Sequence, residues 1–195
     1  MKEKTIDFSP DAYGPVFSRL LQERRLNPLD SGSPNTDVKN ELSNLTIDSA
    51  FSSYKVADMD MAKACIATVW LYHNYLEKSH EISQSIDTQE GSYWHGIMHR
   101  REPDFQNSKY WFRRVGEHPI FKSLHKEAKK LASDFDSHES TEFLIKQTEW
   151  NSIAFIDFCE ACIKMRSPGK MLCRQIQQRE WELLFDYCYR NAVGR

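Results

Sequence analysis

The sequence predicts an all-α fold in which helical segments pair as antiparallel hairpins, forming an irregular bundle of about seven to eight helices. Apolar residues recur at spacings of three and four along most of the chain, which is the period of one helix face. No segment shows the strict two-residue alternation of a half-buried strand, although 141–147 (TEFLIKQ) is a candidate for a short extended piece. With 40% hydrophobic and 28% charged residues, the composition is that of a globular protein and not of a disordered one.

The chain is expected to form one domain over 1–195. Its 195 residues are enough to bury one hydrophobic core. A chain of this length is short for two domains that are each well stabilised. Within that domain, turn-forming residues separate N-terminal helices and an exposed loop (1–57), paired hairpins that carry the candidate site (58–119), and C-terminal core helices (120–195).

Charge and hydropathy argue against two classes of partner. The formal net charge of -2 provides no overall field that would attract nucleic acid or an anionic membrane. No stretch of eighteen apolar residues is present, and the first residues, MKEKTIDFSPDAYG, lack the apolar core of a secretory signal. We therefore expect a cytoplasmic location, and we expect the five cysteines to be reduced.

The N-terminal part is predicted to begin with a helix and continue into a turn-rich segment. Ser9 can cap free backbone N–H groups, Pro10 suits the first helical position, and the helix is predicted to close near Arg25. Residues 27–35 (NPLDSGSPN) collect turn-forming residues, so this segment is predicted to be an exposed and mobile loop. A short helix over 37–45 is predicted to follow it.

Two helical hairpins are predicted in the middle of the chain. The first pairs a helix over 58–72 with one over 75–86, and the second pairs helices over 92–102 and 105–115. Amphipathic or strongly apolar segments then predict the core helices, which lie over 120–135, 149–165 and 171–192.

The segment 91–119 concentrates histidine, arginine and tryptophan beyond what core packing requires. Guanidinium groups beside aromatic faces suit carboxylates and phosphates, so the leading interpretation is a non-catalytic interaction module that binds a small acidic ligand or a peptide here. An arginine of this segment that faces inward would require a compensating anion, such as Glu102. The candidate ligand-binding residues are Trp94, His95, His99, Arg100, Arg101, Glu102, Asn107, Tyr110, Trp111, Arg113 and Arg114.

The same histidines support an alternative interpretation, a metal-dependent hydrolase or transferase. His95 and His99 have an i, i+4 spacing, which projects both imidazoles from one helix face as two metal ligands require. Further ligands are expected from the preceding hairpin, where His73, Glu77 and His80 are candidates. Zinc or nickel is the expected ion, because a di-iron site needs two E-x-x-H pairs and the chain offers one convincing pair.

The histidine pattern also resembles a known type of metal site. Together with a further histidine from the preceding hairpin, His95 and His99 loosely resemble the three-histidine arrangement of the DinB-like four-helix hydrolases and thiol transferases. This resemblance implies a single metal ion held between helices.

Two further resemblances concern the fold of the second hairpin. A small residue and large aromatic residues recur there at fixed places, at Gly96, Asp104, Phe105, Ser108, Phe112, Val115 and Pro119. This pattern, over about 60–119, resembles that of tetratricopeptide repeats and implies stacked antiparallel helices, although that family usually has apolar residues at the positions of His95 and His99. A signature of bacterial all-helical proteins is also resembled by the segment 93–119, YWHGIMHRREPDFQNSKYWFRRVGEHP. This resemblance implies no particular activity.

Other functions have less support in the sequence. A structural role, with the histidine- and arginine-rich corner as a homodimer interface, is a third interpretation. Binding of nucleic acid is disfavoured because no extended basic stripe is present. Cys159 and Cys162 form a C-x-x-C, but it lies inside an apolar helical stretch and predicts buried structural thiols. The chain has no G-x-S-x-G elbow, phosphate-binding glycine loop or dinucleotide fingerprint.

Overall fold

The computed structural model describes residues 8–135, 141–165 and 169–195. Within these ranges the regular structure is helical and no strand occurs, which confirms the predicted all-α class. Short 3-10 helices cover Pro10–Tyr13 and Thr36–Val38. The α-helices are α1 (Gly14–Leu21), α2 (Lys39–Ser43), α3 (Ile47–Ala50), α4 (Met59–Tyr72), α5 (Leu76–Ser83), α6 (Gln89–Arg101), α7 (Phe105–Val115), α8 (Phe121–Ser133), α9 (Glu142–Lys146), α10 (Ser152–Lys164) and α11 (Lys170–Ala192).

Short helices account for the main differences from the predicted elements. The segment 141–147 is not extended: α9 occupies most of it, and Leu144 is fully buried. A helix of five residues is too short for its apolar period to be recognised in the sequence. The predicted first helix is divided into a 3-10 helix and α1, and α1 ends at Leu21, before the predicted end near Arg25. Pro15 has no backbone N–H, so it suits the start of the second piece.

The core is one connected cluster of buried apolar residues centred on α4 and α11. Trp181 on α11 donates a hydrogen bond from its indole Nε1 to the backbone oxygen of Thr68 on α4, over 3.3 Å. The five cysteines are buried, and none of them forms a disulfide. In the part of the chain that the structure describes, no helix combines the length and apolarity needed to cross a lipid bilayer.

α6 and α7 form a tightly packed antiparallel hairpin. At Gly96 on α6 an added Cβ would lie 2.8 Å from the ring of Phe112 on α7, so a larger residue would displace that ring. Ser108 strengthens the same contact by donating a hydrogen bond to the backbone oxygen of Gly96 over 2.8 Å. Asp104 caps α7 by accepting a hydrogen bond from the backbone N–H of Asn107 over 3.2 Å.

The segment over 27–35 is held more firmly than the sequence predicted. Leu29 is 1% exposed, so the prediction of an exposed loop is wrong for the first half of the segment, although 31–34 are exposed. Arg101 on α6 donates hydrogen bonds to the backbone oxygens of Asp30 and Ser31, and Gln177 on α11 donates one to that of Pro28. Backbone carbonyls that a turn leaves without partners are thus satisfied by side chains from distant helices.

Candidate metal site

Three histidines from two helices converge on one point. His95 and His99 project from the same face of α6 with ring centroids 4.8 Å apart, as their spacing predicted. His80 on α5 lies edge-on to both, with ring centroids 4.6 Å from His95 and 5.2 Å from His99. One ring nitrogen from each of the three lies within 4.8 Å of the others. The arrangement therefore brings three potential metal ligands together.

His95 is the most enclosed of the three imidazoles. It is 3% exposed, and the indole of Trp111 on α7 stacks on it with centroids 4.0 Å apart and planes 17° apart. Its Nδ1 is buried and has no hydrogen-bond partner among the described residues. A buried polar atom without a partner is unfavourable, so a cation or a hydrogen-bond donor bound at this nitrogen would remove that cost.

His99 is surrounded by polar side chains from the end of α6 and the start of α7. Its Nδ1 lies 3.3 Å from Oε2 of Glu102 and 4.0 Å from Oδ2 of Asp104. The amide nitrogen of Asn107 lies 3.1 Å from its Nε2. A carboxylate at one ring nitrogen favours the tautomer in which that nitrogen carries the proton, and it leaves the other nitrogen available for a metal.

Burial keeps the imidazoles on α6 in the neutral form that ligation requires. Burial, reinforced by the neighbouring rings of His99 and His80, lowers the pKa of His95 from its ordinary value of 6.5 to about 3. Burial also lowers the pKa of His99, while the carboxylate of Glu102 acts in the opposite direction. Neutral imidazole has a lone pair to donate, so both side chains are prepared for a cation at neutral pH.

The lowered pKa of His95 predicts that the metal-free protein loses stability in acid. The unfolded chain takes up a proton near pH 6.5 and the folded chain only near pH 3, so acidification between these values favours unfolding. Between pH 6.5 and pH 5 this residue is expected to cost about 2 kcal/mol. Urea unfolding in a chelator at pH 7.5 and pH 5 measures the change. His95→Gln, which cannot titrate, should lose less stability over this interval, and an equal loss would contradict the prediction.

Two of the predicted metal ligands lie outside the cluster. His73 is buried at the C-terminal end of α4, where its Nε2 lies 2.8 Å from the backbone oxygen of Leu20 and its Nδ1 lies 3.2 Å from the amide nitrogen of Asn35. It is a core histidine because the turn after α4 directs it toward α1. Glu77 is exposed on α5 and belongs to no metal-ligand group found in the described residues.

The two buried arginines are committed to partners within the protein. Arg100 is 1% exposed and forms an ion pair with Glu180 of α11, whose carboxylate also accepts a hydrogen bond from the hydroxyl of Tyr93 over 3.1 Å. Arg101 is 2% exposed and donates to the backbone of Asp30 and to Oδ1 of Asn74 over 2.6 Å. Burial, together with the charge of Arg100, lowers the pKa of Arg101 to about 10. The burial of both arginines and their partners within the protein do not support the prediction that they line a ligand site.

The remaining predicted ligand-binding residues divide between the core and the surface. Trp94 is fully buried and its indole Nε1 donates to the sulfur of Cys188 over 3.4 Å, so it is a core residue and not a ligand contact. Tyr110 is 50% exposed and lies edge-on to Trp111. Arg114 is exposed and lies over the ring of Trp111, with its guanidinium carbon 5.2 Å from the ring centroid, and Arg113 is exposed.

The sequence interpretation missed the residue that balances Arg100. It named Glu102 as the compensating anion, but Glu102 contacts His99 and the partner of Arg100 is Glu180, eighty positions along the chain. The available signal was the set of acidic residues among the apolar positions of α11, where Glu180 is 0% exposed. A buried carboxylate of this kind requires a buried cation.

No family model, curated protein or solved structure matches the chain.

Proposed function

We propose that this protein binds a divalent transition-metal ion through His80, His95 and His99. The observation that carries the proposal is the clustering of three imidazoles, one ring nitrogen of each within 4.8 Å of the others, beside a buried His95 whose Nδ1 has no hydrogen-bond partner among the described residues. Stacking on Trp111 alone accounts for one buried histidine, but it does not account for two more imidazoles at the same point. A cation would use all three lone pairs.

The ligand set indicates which ions fit. Imidazole suits zinc, nickel and other borderline divalent ions, whereas calcium and magnesium prefer oxygen ligands. In a tetrahedral zinc site the ligand nitrogens lie about 3.4 Å apart, since each zinc–nitrogen bond is about 2.1 Å long. One ring nitrogen from each histidine lies within 4.8 Å of the others, so these nitrogens would need to approach one another by up to about 1.4 Å to hold a zinc ion.

The same ligand set suits catalysis of the hydrolase or transferase class. Three protein ligands leave a further coordination position, and a zinc ion with an open position polarises a carbonyl or lowers the pKa of a bound water. The competing interpretation, an anion-binding interaction module, is weakened because Arg100 and Arg101 are already engaged within the protein. Metal binding is the function that the geometry supports best.

Metal binding is tested by calorimetric titration of chelator-treated protein without a histidine tag. We expect one zinc or nickel ion per chain. His95→Ala should weaken binding by at least about 100-fold, or about 2.7 kcal/mol, because one of three ligands is lost. His125→Ala is the matched control, since His125 contacts the backbone oxygen of Gln147 outside the cluster and its loss should leave affinity unchanged.

Two outcomes would contradict the proposal. One is the absence of binding by wild-type protein whose folding is confirmed by circular dichroism. The other is equal affinity in the wild type and in His80→Ala, His95→Ala and His99→Ala. Elemental analysis of untagged protein purified without chelators then identifies the ion that the protein acquires in the cell.

A further inference from the structure

Two cavities outside the histidine cluster share part of their walls. The smaller, of about 230 Å³, is enclosed by parts of the segment 8–24 and by α4 and α11. The larger, of about 280 Å³, is enclosed by parts of the segment 24–26 and by α8 and α11. Arg24, Gln178 and Arg179 line both cavities. A positively charged side chain at such a boundary can contact a ligand in either space.

Arg24 is a cation of this shared wall that the protein does not neutralise. Its exposed side chain forms no hydrogen bond or ion pair with any residue that the structure describes. Arg179, by contrast, pairs with the carboxylate of Glu182 and lies 3.6 Å from that of Glu127. Glu182 also accepts a hydrogen bond from Nε2 of Gln178 over 3.1 Å. Arg24 therefore has a guanidinium group available for an external anion.

The backbone around Arg24 is fixed, although it belongs to no regular helix. The hydroxyl of Tyr72 donates a hydrogen bond to the backbone oxygen of the residue before Arg24 and accepts one from the backbone N–H of the residue after it, each over 2.9 Å. Arg174 on α11 donates from its guanidinium group to the backbone oxygens of residues 26 and 27. A fixed backbone lowers the entropic cost of placing the Arg24 side chain on a ligand.

The larger cavity suits an anion better than the smaller one. The carboxylate of Glu182 lines the smaller cavity and would repel an anion there. The residues that line the larger cavity include no acidic side chain. They include Gln175, whose amide has no hydrogen bond within the described part of the chain, and the apolar side chains of Leu26 and Leu131. The larger cavity therefore combines polar donors with an apolar wall.

We propose that the larger cavity binds a small organic anion, with a carboxylate or phosphate group paired to Arg24 and an apolar body against Leu26 and Leu131. A guanidinium group matches either anion through two parallel hydrogen bonds. An inorganic anion would leave the apolar wall without a contact, so the ligand is expected to carry both parts. None of the three histidines lines this cavity, so the inference does not depend on the proposed metal site.

The test uses benzoate and phenyl phosphate as probes, in titrations of isotope-labelled protein followed by nuclear magnetic resonance. We expect both probes to bind with dissociation constants of about 1 mM or lower and to shift the side-chain amide signals of Gln175 and Gln178. Benzamide, which has the same ring without a charge, should bind at least about tenfold more weakly than benzoate. Inorganic phosphate should bind at least about tenfold more weakly than phenyl phosphate. The affinities of the two probes then show which anionic group the site prefers.

Two arginine variants locate the binding. Arg24→Gln should weaken both probes by at least about tenfold, because a charge-assisted hydrogen bond is lost. Arg19→Gln is the matched control, since Arg19 is an exposed arginine that pairs with Glu41, and it should bind both probes as the wild type does.

Three outcomes would overturn the inference. One is the absence of saturable binding of both probes to folded wild-type protein, and another is equal affinity in the wild type and Arg24→Gln. The third is benzamide or inorganic phosphate that binds as tightly as its matched probe, because the site would then lack either the charge recognition or the apolar contact. A weaker affinity in Arg24→Gln alone, with Arg19→Gln unchanged, supports the inference.

Discussion

Replacing Glu180 with alanine is expected to lower the free energy of unfolding by about 3 to 5 kcal/mol. The carboxylate is 0% exposed and is the charged partner of Arg100, which is itself 1% exposed. Its removal leaves a guanidinium group in the core without a counter-ion and leaves the hydroxyl of Tyr93 without its acceptor. The rings of Phe155 and Phe112 beside Arg100 offset only part of that cost. Urea unfolding monitored by circular dichroism measures the difference.

Two further variants show whether the lost charge pair is responsible. Glu142→Ala removes a carboxylate from an exposed pair with Lys146, and it should change stability by less than about 0.5 kcal/mol. Arg100→Met combined with Glu180→Leu removes both charges, so it should recover much of the stability that Glu180→Ala loses. A loss below about 1 kcal/mol in Glu180→Ala would mean that the pair is not buried as described.

Gly91→Ala is expected to destabilise the protein by about 3 kcal/mol, although alanine favours a helix more than glycine does. A Cβ at this position in the first turn of α6 would lie 2.1 Å from the backbone oxygen of Ile86. Backbone atoms cannot rotate away, so the connection between α5 and α6 has to move. The same displacement would separate His80 from the two histidines of α6. Thermal and urea unfolding measure the loss of stability.

Gly96→Ala is the matched comparison, because it adds the same methyl group to the same helix. There the new Cβ would meet the ring of Phe112 at 2.8 Å, and a side chain can shift where a backbone cannot. We therefore expect a smaller loss, of about 1 kcal/mol. If Gly96→Ala were the more damaging substitution, the close approach at Gly91 would not be the constraint that positions α5 against α6.

Local sequence patterns predicted much of the fold and part of the candidate site. The helices α4, α6 and α7 end within a few residues of their predicted limits, because each has a regular apolar period and turn-forming residues at its ends. The pairing of His95 with His99 also follows from helix geometry alone. Information of this kind lies within a single helix, so one sequence is enough to reveal it.

Contacts between helices could not be predicted in the same way. His73, Glu77 and His80 were all candidates for a further ligand, and the way in which α5 packs against α6 brings His80 to the other two histidines. The close approach of Gly91 to the backbone of Ile86, in the connection between these helices, has no sequence signature. The partner of Arg100 lies in α11, eighty residues away, so the local pattern around the arginine pointed to Glu102 instead. In both cases the contact depends on how separate helices pack against one another.

The burial of α6 limits the path by which an ion can approach. Residues from Glu90 to Arg101 are all buried, and α6 packs against α4, α5 and α7. The half-buried His80 is the most accessible of the three imidazoles, so solvent reaches the cluster along the side formed by α5. Capture and release of a cation would then depend on small movements of α5, and the lifetime of the bound ion would follow the stability of one eight-residue helix.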